Sequence, residues 1–253
     1  MKIPQDMQAG CIHKSNSFGD VKVVQYHSYS SVLIEFVDSG WRRFCETGHL
    51  RLGRVKDVMQ RNVHGVGFIG DGKYKAGQGN GNTKQYATWR HMLMRCYSED
   101  SLNRQPSYIG CTVCDDWHNF QSFAVWYDEN YPQDGFDYEL DKDLLVNGNK
   151  VYSPDTCLFI PKKINSFLSY ENSKRSSSLH GVIVRGNRFA AKCSNPITRK
   201  SEWLGAFATN TDAHLAWANR KKEIAAILAS SDIHMCDKTR NALLNIDFKQ
   251  VSS

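Results

Sequence analysis

With 253 residues, 41% of them hydrophobic and 23% charged, the chain has an ordinary globular composition, and its length fits one to three modules rather than one large core. No run approaches the ~20 consecutive apolar residues that span a bilayer, and the opening MKIPQDMQAG lacks the apolar stretch of a secretory signal, so no membrane partner and a cytoplasmic location are expected. The formal charge is +6, and the window 173–228 alone carries ten basic and three acidic residues. So localised a surplus is what phosphate binding needs, the alternative being a solvated basic face with no partner.

From residue 17 to 57, the runs VKVVQY, SSVLIEFVD, GWRRFCE and GHLRLGRV are rich in β-formers and separated by glycine or serine, which predicts three or four short antiparallel strands. Seven glycines between His64 and Asn82 mark a flexible connection. Within it, GVGFIG matches a dinucleotide-binding spacing, but no helix opens after it, so a connecting role is the better reading. From Thr83, Tyr86, Trp89, Met92, Leu93 and Cys96 recur at helical spacing. DDWHNFQSFAVWYDEN predicts a second helix, with Asp115 or Asp116 as its cap and His118 as a candidate ligand or base. ENSKRSSS is a polar linker. Beyond it, HGVIV, RFAAKCS and SEWLGAF read as three strands, followed by an alanine-rich helix over 211–228 that Thr209, Asn210 or Thr211 can cap.

Eight cysteines are scattered along the chain, and reduced thiols are expected. Cys111 and Cys114 make the one C-x-x-C; without a second ligand pair at similar spacing, a structural zinc site is not expected.

The segment FDYELDKDLLVNGNKVYSPDTCLFIPKKINSFL, residues 136–168, resembles the HNH, or ββα-metal, motif of phage and homing endonucleases. The resemblance implies two strands and a helix around one divalent cation, with Mg²⁺ as the cofactor. Asp141 matches the first-strand metal ligand, Asn165 the final ligand on the helix, and Asp143 is the nearest further carboxylate. Lys142 stands where the general-base histidine belongs, and Thr156 where a strand-fixing asparagine belongs, so the implied catalytic set is Asp141, Lys142 and Thr156. A protonated lysine flanked by two aspartates is a poor base and a good phosphate ligand.

Residues 180–225 resemble an AP2-type DNA-binding domain: Gly181-Val182, Phe189-Ala190-Ala191, Trp203-Leu204-Gly205 with Phe207, and Asp212, Ala213, Ala216 and Trp217 match its motifs. That resemblance implies a three-stranded sheet that meets double-stranded DNA through Arg185, Arg188, Lys192, Lys200 and Trp203. Strand alternation independently sends Arg188, Ala190 and Lys192 to one face and Phe189 and Ala191 to the other.

The expected architecture is α+β and multi-module. It comprises an N-terminal small antiparallel β module (1–63), a Gly-rich linker (64–82), an HNH-like module with helices (83–170), a polar linker (171–179), an AP2-like three-stranded sheet plus helix (180–230) and a tail (231–253). Two functions remain open: a metal-dependent endonuclease acting on double-stranded DNA, or a degenerate, non-enzymatic relative that binds DNA or, as an anti-defence factor, a protein.

Overall fold

In β3 (Ser31–Phe36) every second side chain, Val32, Ile34 and Phe36, is fully buried, as in a strand with one face on a core. The computed structural model of the chain describes residues 2–146, 148–169, 179–231 and 235–248. It pairs β3 antiparallel with β2 (Asp20–Ser28) and β4 (Arg42–Cys45), and β1 (Ile12–Lys14) completes the order β1-β2-β3-β4. Val21 and Val23 extend the same apolar face, which Met7, Leu50 and Val55 close. Each fully buried aliphatic side chain there contributes about 1.5–3 kcal/mol relative to exposure. The run GHLRLGRV departs from the expected strand: its first part is the short helix α1 (Thr47–Arg51), which places Leu50 against the sheet. Gly53 then turns the chain at φ 65°, where a Cβ would stand 2.4 Å from Asn16 Oδ1.

The chain divides into two compact units, Met1–Asp128 and Glu129–Ser253, so the boundary falls inside the stretch 83–170 that the sequence assigns to one module. In the first unit, the hairpin β5–β6 (Gly77–Gln78 and Gly81–Asn82) leads into α2 (Lys84–Tyr97), whose start is capped by the Thr83 hydroxyl accepting from the Tyr86 N–H. After α3 (Glu99–Arg104) and the two-residue strand β7 (Thr112–Val113), a 3₁₀ turn at Asp115–His118 precedes α4 (Phe120–Asn130). The acids expected to cap this helix do not; Asn119 Oδ1 accepts from the Gln121 N–H at 3.0 Å instead. Trp89, Trp117, Phe120 and Phe123 form the aromatic core between the helices, with Trp89 Nε1 donating to the Trp117 carbonyl at 2.7 Å.

Residues 64–82 pack on these helices rather than forming a loose connection. Phe68 donates to the His118 carbonyl and accepts from the Phe120 N–H, both at 2.9 Å, and the Gln121 amide donates to the carbonyls of Ile69 and Tyr74. At Gly67 the absence of a side chain has a steric cause: a Cβ there would lie 2.4 Å from Leu93 and 2.8 Å from Trp89.

In the second unit, β8 (Tyr138–Asp141) pairs antiparallel with β10 (Leu158–Pro161), and α5 (Lys162–Leu168) follows directly, giving the expected two strands and helix; the short strand β9 (Val151–Tyr152) lies between them in sequence. The antiparallel sheet β11-β12-β13 (Val182–Arg185, Arg188–Asn195, Lys200–Phe207) is backed by α6 (Asn210–Ser231), which Thr209 caps by accepting from the Asp212 N–H at 3.0 Å. One apolar cluster joins Leu158, Ile160, Ile164 and Phe167 to Cys193, Trp217, Ile224 and Leu228, so the two modules expected at 83–170 and 180–230 share a core within this unit. The tail contributes as well: α7 (Asp237–Asn245) adds Leu243, and Met235 and Phe248 on either side of it join the same cluster. Most of the expected polar linker, residues 171–178, lies outside the described residues. No helix among the described residues is long and apolar enough to cross a membrane. The fold is mixed α+β.

Candidate nucleic-acid interface

Four side chains lead the outer face of the β11-β12-β13 sheet. The register places Lys192 opposite Trp203 and Arg185 opposite Arg188, with Gly186 at φ 59° opening the tight turn between the last two. Trp203 is 52% exposed, an unusual state for so large an apolar surface. The Arg185 guanidinium lies 5.8 Å and the Lys192 ammonium 6.0 Å from its ring centroid. Ile183, Arg188, Ser194 and Ser201 are exposed on the same parity, whereas Ala190, between its strand partners Ile183 and Ala206, is buried. A bulge at Ala191/Lys192 lets Leu204 and Gly205 occupy the space of one residue, so Trp203 and Ala206 keep to one face.

The opposite face carries Val182, Phe189, Ala191 and Leu204 into a small cluster with Ala213 and Ala216 of α6. Gly181, at φ 75°, allows the close approach of α6: a Cβ there would stand 2.0 Å from the Trp217 ring.

The sheet's single carboxylate, Glu202, belongs to this inner parity, where Arg220 of α6 grips it with two bonds of 2.6 and 3.2 Å and Asn195 donates a third of 2.7 Å. Arg220 holds the Glu202 carboxyl below its usual range, with Asn195 adding to the effect. Arg220 also takes Glu223 at 2.6 Å, and Asp212 is bonded to the Thr209 hydroxyl at the start of the helix. All three acids of the basic window are thereby engaged away from the outer face. Two of its basic residues are withdrawn as well. Arg220 serves these pairs, and Lys221 is buried, donating to the Phe167 carbonyl and lying 3.8 Å from that ring's centroid. Lys174 and Arg175 lie outside the described residues. Lys200, expected with the sheet contacts, is exposed at a strand end but has the parity of Glu202, one step out of phase with Trp203.

The residues expected to hold a metal and do chemistry engage separate partners. Asp141 Oδ1 accepts from the backbone N–H groups of Asp143 at 3.0 Å and Leu144 at 2.7 Å, which closes the turn after β8. Burial pushes its carboxyl above the usual range. Asp143 is salt-bridged at 2.6 Å by Lys142, which is 6% exposed and also donates to the Asn149 carbonyl at 2.8 Å. Asn165 donates its amide to Glu139 at 2.5 Å. Thr156 fixes a turn, donating to the Val151 carbonyl at 2.7 Å.

These contacts occupy one oxygen each of Asp141 and Asp143 and the amide nitrogen of Asn165. Among the described residues, no group of three His, Cys, Asp or Glu side chains is placed to hold a metal ion. His118 is packed in the first unit, 3.4 Å from the Tyr97 hydroxyl, and burial lowers its basicity. Cys111 and Cys114 are free thiols, the latter pushed up by burial.

Two of these contacts involve residues to which the motif comparison gave no role. Asn149 binds both Lys142 and Val151 and so holds the loop together, and Glu139 takes the amide of Asn165. The signal for Glu139 was its place two residues before Asp141, on the same side of a strand. Compared with known protein families, curated proteins and solved structures, the chain matches none.

Proposed function

We propose that this protein binds double-stranded DNA through the outer face of the β11-β12-β13 sheet and does so without a metal-dependent cleavage step at Asp141. The observation that carries the reading is the sorting of charge across the sheet: Arg185 and Lys192 flank an exposed Trp203 and Arg188 shares their face, while Glu202 is drawn to the other side by Arg220. Three antiparallel strands are about 10 Å wide between the outer strand axes, which fits a major groove about 12 Å across. Arginine and lysine donate to phosphates or to guanine edges, and Trp203 and Ile183 supply apolar contact to sugars or thymine methyls. The non-enzymatic part of the reading rests on the engagement of Asp141 by backbone N–H groups and of Asp143 by Lys142.

The test is duplex binding by fluorescence anisotropy over a salt series, with Arg188→Ala and Lys192→Ala. Each substitution is expected to weaken binding by roughly 1 kcal/mol or more, and a lost phosphate contact makes the salt slope shallower by roughly one. Affinity and slope unchanged in both variants would remove the sheet as the contact face. A plasmid-nicking assay with Mg²⁺ or Mn²⁺ covers the rest: a metal-dependent nick that Asp141→Ala abolishes would replace binding by endonuclease action.

A further inference from the structure

A cavity of the second unit lies at the edge of this sheet, against α5 and α6, with a volume of about 700 Å³. Among the described residues, five cationic side chains line it, Lys163, Lys192, Arg199, Lys200 and Lys221, and no carboxylate. Like charges gathered around one volume raise each other's energy, and an anion in that volume relieves it. The size lies within the range of pockets that enclose small organic ligands and far exceeds the need of a bare inorganic ion. Ser194 and Ser201 add hydroxyls, while Phe167 and Trp217 supply apolar wall.

The turn that carries Arg199 is built and strained. Asn195 Oδ1 accepts from the N–H groups of Ile197 at 2.8 Å and Thr198 at 3.3 Å, and its amide is held by Glu202. Arg199 itself has φ 56°, one of two non-glycine residues in the left-handed region among those described. A side chain there is strained relative to glycine. An arginine held in a conformation that suits glycine points to a use for its guanidinium. Lys221 supports the same reading from the floor of the cavity: burial lowers its pKa to about 8, and a phosphate group beside it would raise it again by favouring the charged form.

We infer that this cavity is a binding site for a nucleotide phosphate, with Arg199, Lys192 and Lys200 gripping the phosphate at the rim and the aromatic wall receiving the attached group. The site goes beyond the sheet-face reading and does not require it. Its phosphate comes either from a free mononucleotide or from the end of a DNA strand. Because Lys192 serves both surfaces, a free nucleotide in the cavity would compete with duplex on the sheet.

The experiment uses the full chain in phosphate-free buffer at fixed ionic strength, titrated by calorimetry with thymidine 5′-monophosphate. In parallel, short duplexes bearing either a 5′-phosphate or a 5′-hydroxyl are titrated by anisotropy. The key variant is Arg199→Gly, which removes the guanidinium while easing the turn. Mononucleotide binding weakened at least tenfold by Arg199→Gly assigns the site to free nucleotides. A preference for the 5′-phosphorylated duplex that disappears in Arg199→Gly, without mononucleotide binding, assigns it to strand ends. The inference is overturned if neither ligand shows a phosphate-dependent signal, if the signal merely follows ionic strength, or if Arg199→Gly leaves it unchanged. The 5′-hydroxyl duplex reports the sheet face alone, so failure there is distinguishable from failure of the cavity.

Discussion

Lys221→Met probes the most costly charge in the second unit. Lys221 is 5% exposed, and its surroundings include the rings of Phe167, Trp217 and Phe248 and the Phe167 carbonyl, to which it donates. Burial lowers its pKa from 10.5 to about 8, which at about 1.4 kcal/mol per tenfold amounts to about 3 kcal/mol against the charged form. Below pH 8 the lysine is protonated in both folded and unfolded chains, so the penalty is present in full and does not vary. Between about 8 and 10.5 the unfolded chain still holds the proton that the folded chain has released, and stability rises with pH through that window.

Methionine has similar length, carries no charge and suits an aromatic pocket. It also leaves the Phe167 carbonyl without this donor, at a cost of about 1–3 kcal/mol, so the net change at pH 7.5 is expected to be small. The decisive quantity is therefore the difference between the two proteins as a function of pH. Urea unfolding at pH 7.5, 9 and 10.5 should show wild type gaining about 3 kcal/mol on Lys221→Met across the series. Burial pushes the neighbouring Cys193 thiol up, and it titrates with the opposite sign, but both proteins contain it and its contribution cancels to first order. Parallel pH profiles for the two proteins would refute the account of Lys221 as a buried ammonium.

Two further substitutions test how the second unit is held. Gly181→Ala places a Cβ 2.0 Å from the Trp217 ring at φ 75° and should cost about 3 kcal/mol or more in urea unfolding, whereas Gly186→Ala, at φ 59° with open space around it, should cost about 1 kcal/mol; equal losses would contradict the packing of α6 on the sheet. Asn149→Ala removes three side-chain bonds to Lys142 and Val151 and should cost about 2–3 kcal/mol, with faster hydrogen exchange across 142–151; unchanged exchange there would show that the loop is held by other contacts.

Strand-forming runs and helical apolar spacing carried much of the fold into view. The β-rich run SSVLIEFVD announced β3, the Trp89 to Cys96 stripe announced α2, and Thr209 was among the residues named as caps of α6. The misses share a cause, since each depends on contacts between residues distant in sequence. The glycines at 65–81 look like a tether by composition, yet Gly67 is small because Leu93 and Trp89 press on it from another element. Likewise, Asn165 was matched to Asp141 by its position in a motif. The antiparallel register of β8 against β10 and the placement of α5 instead bring it to Glu139, a choice that no local pattern encodes. Asp141 had a local alternative that could have been weighed, because an aspartate ending a strand readily accepts from the backbone two and three residues on.

The charge of the basic window shows how far a linear count can mislead and where it still informs. Ten basic residues were counted, but Arg220 and Lys221 serve the interior and the helix-facing side, so the surplus available to a partner is smaller than the arithmetic implies. The loss is offset by selection of the acids. Arg220 engages both Glu202 and Glu223, and strand alternation turns Glu202 inward while sending Lys192 and Trp203 outward. A polyanion approaching the sheet from outside therefore meets arginine, lysine and tryptophan with every carboxylate of the window engaged elsewhere. An arginine that does not touch the ligand thus sets the potential of the surface that does.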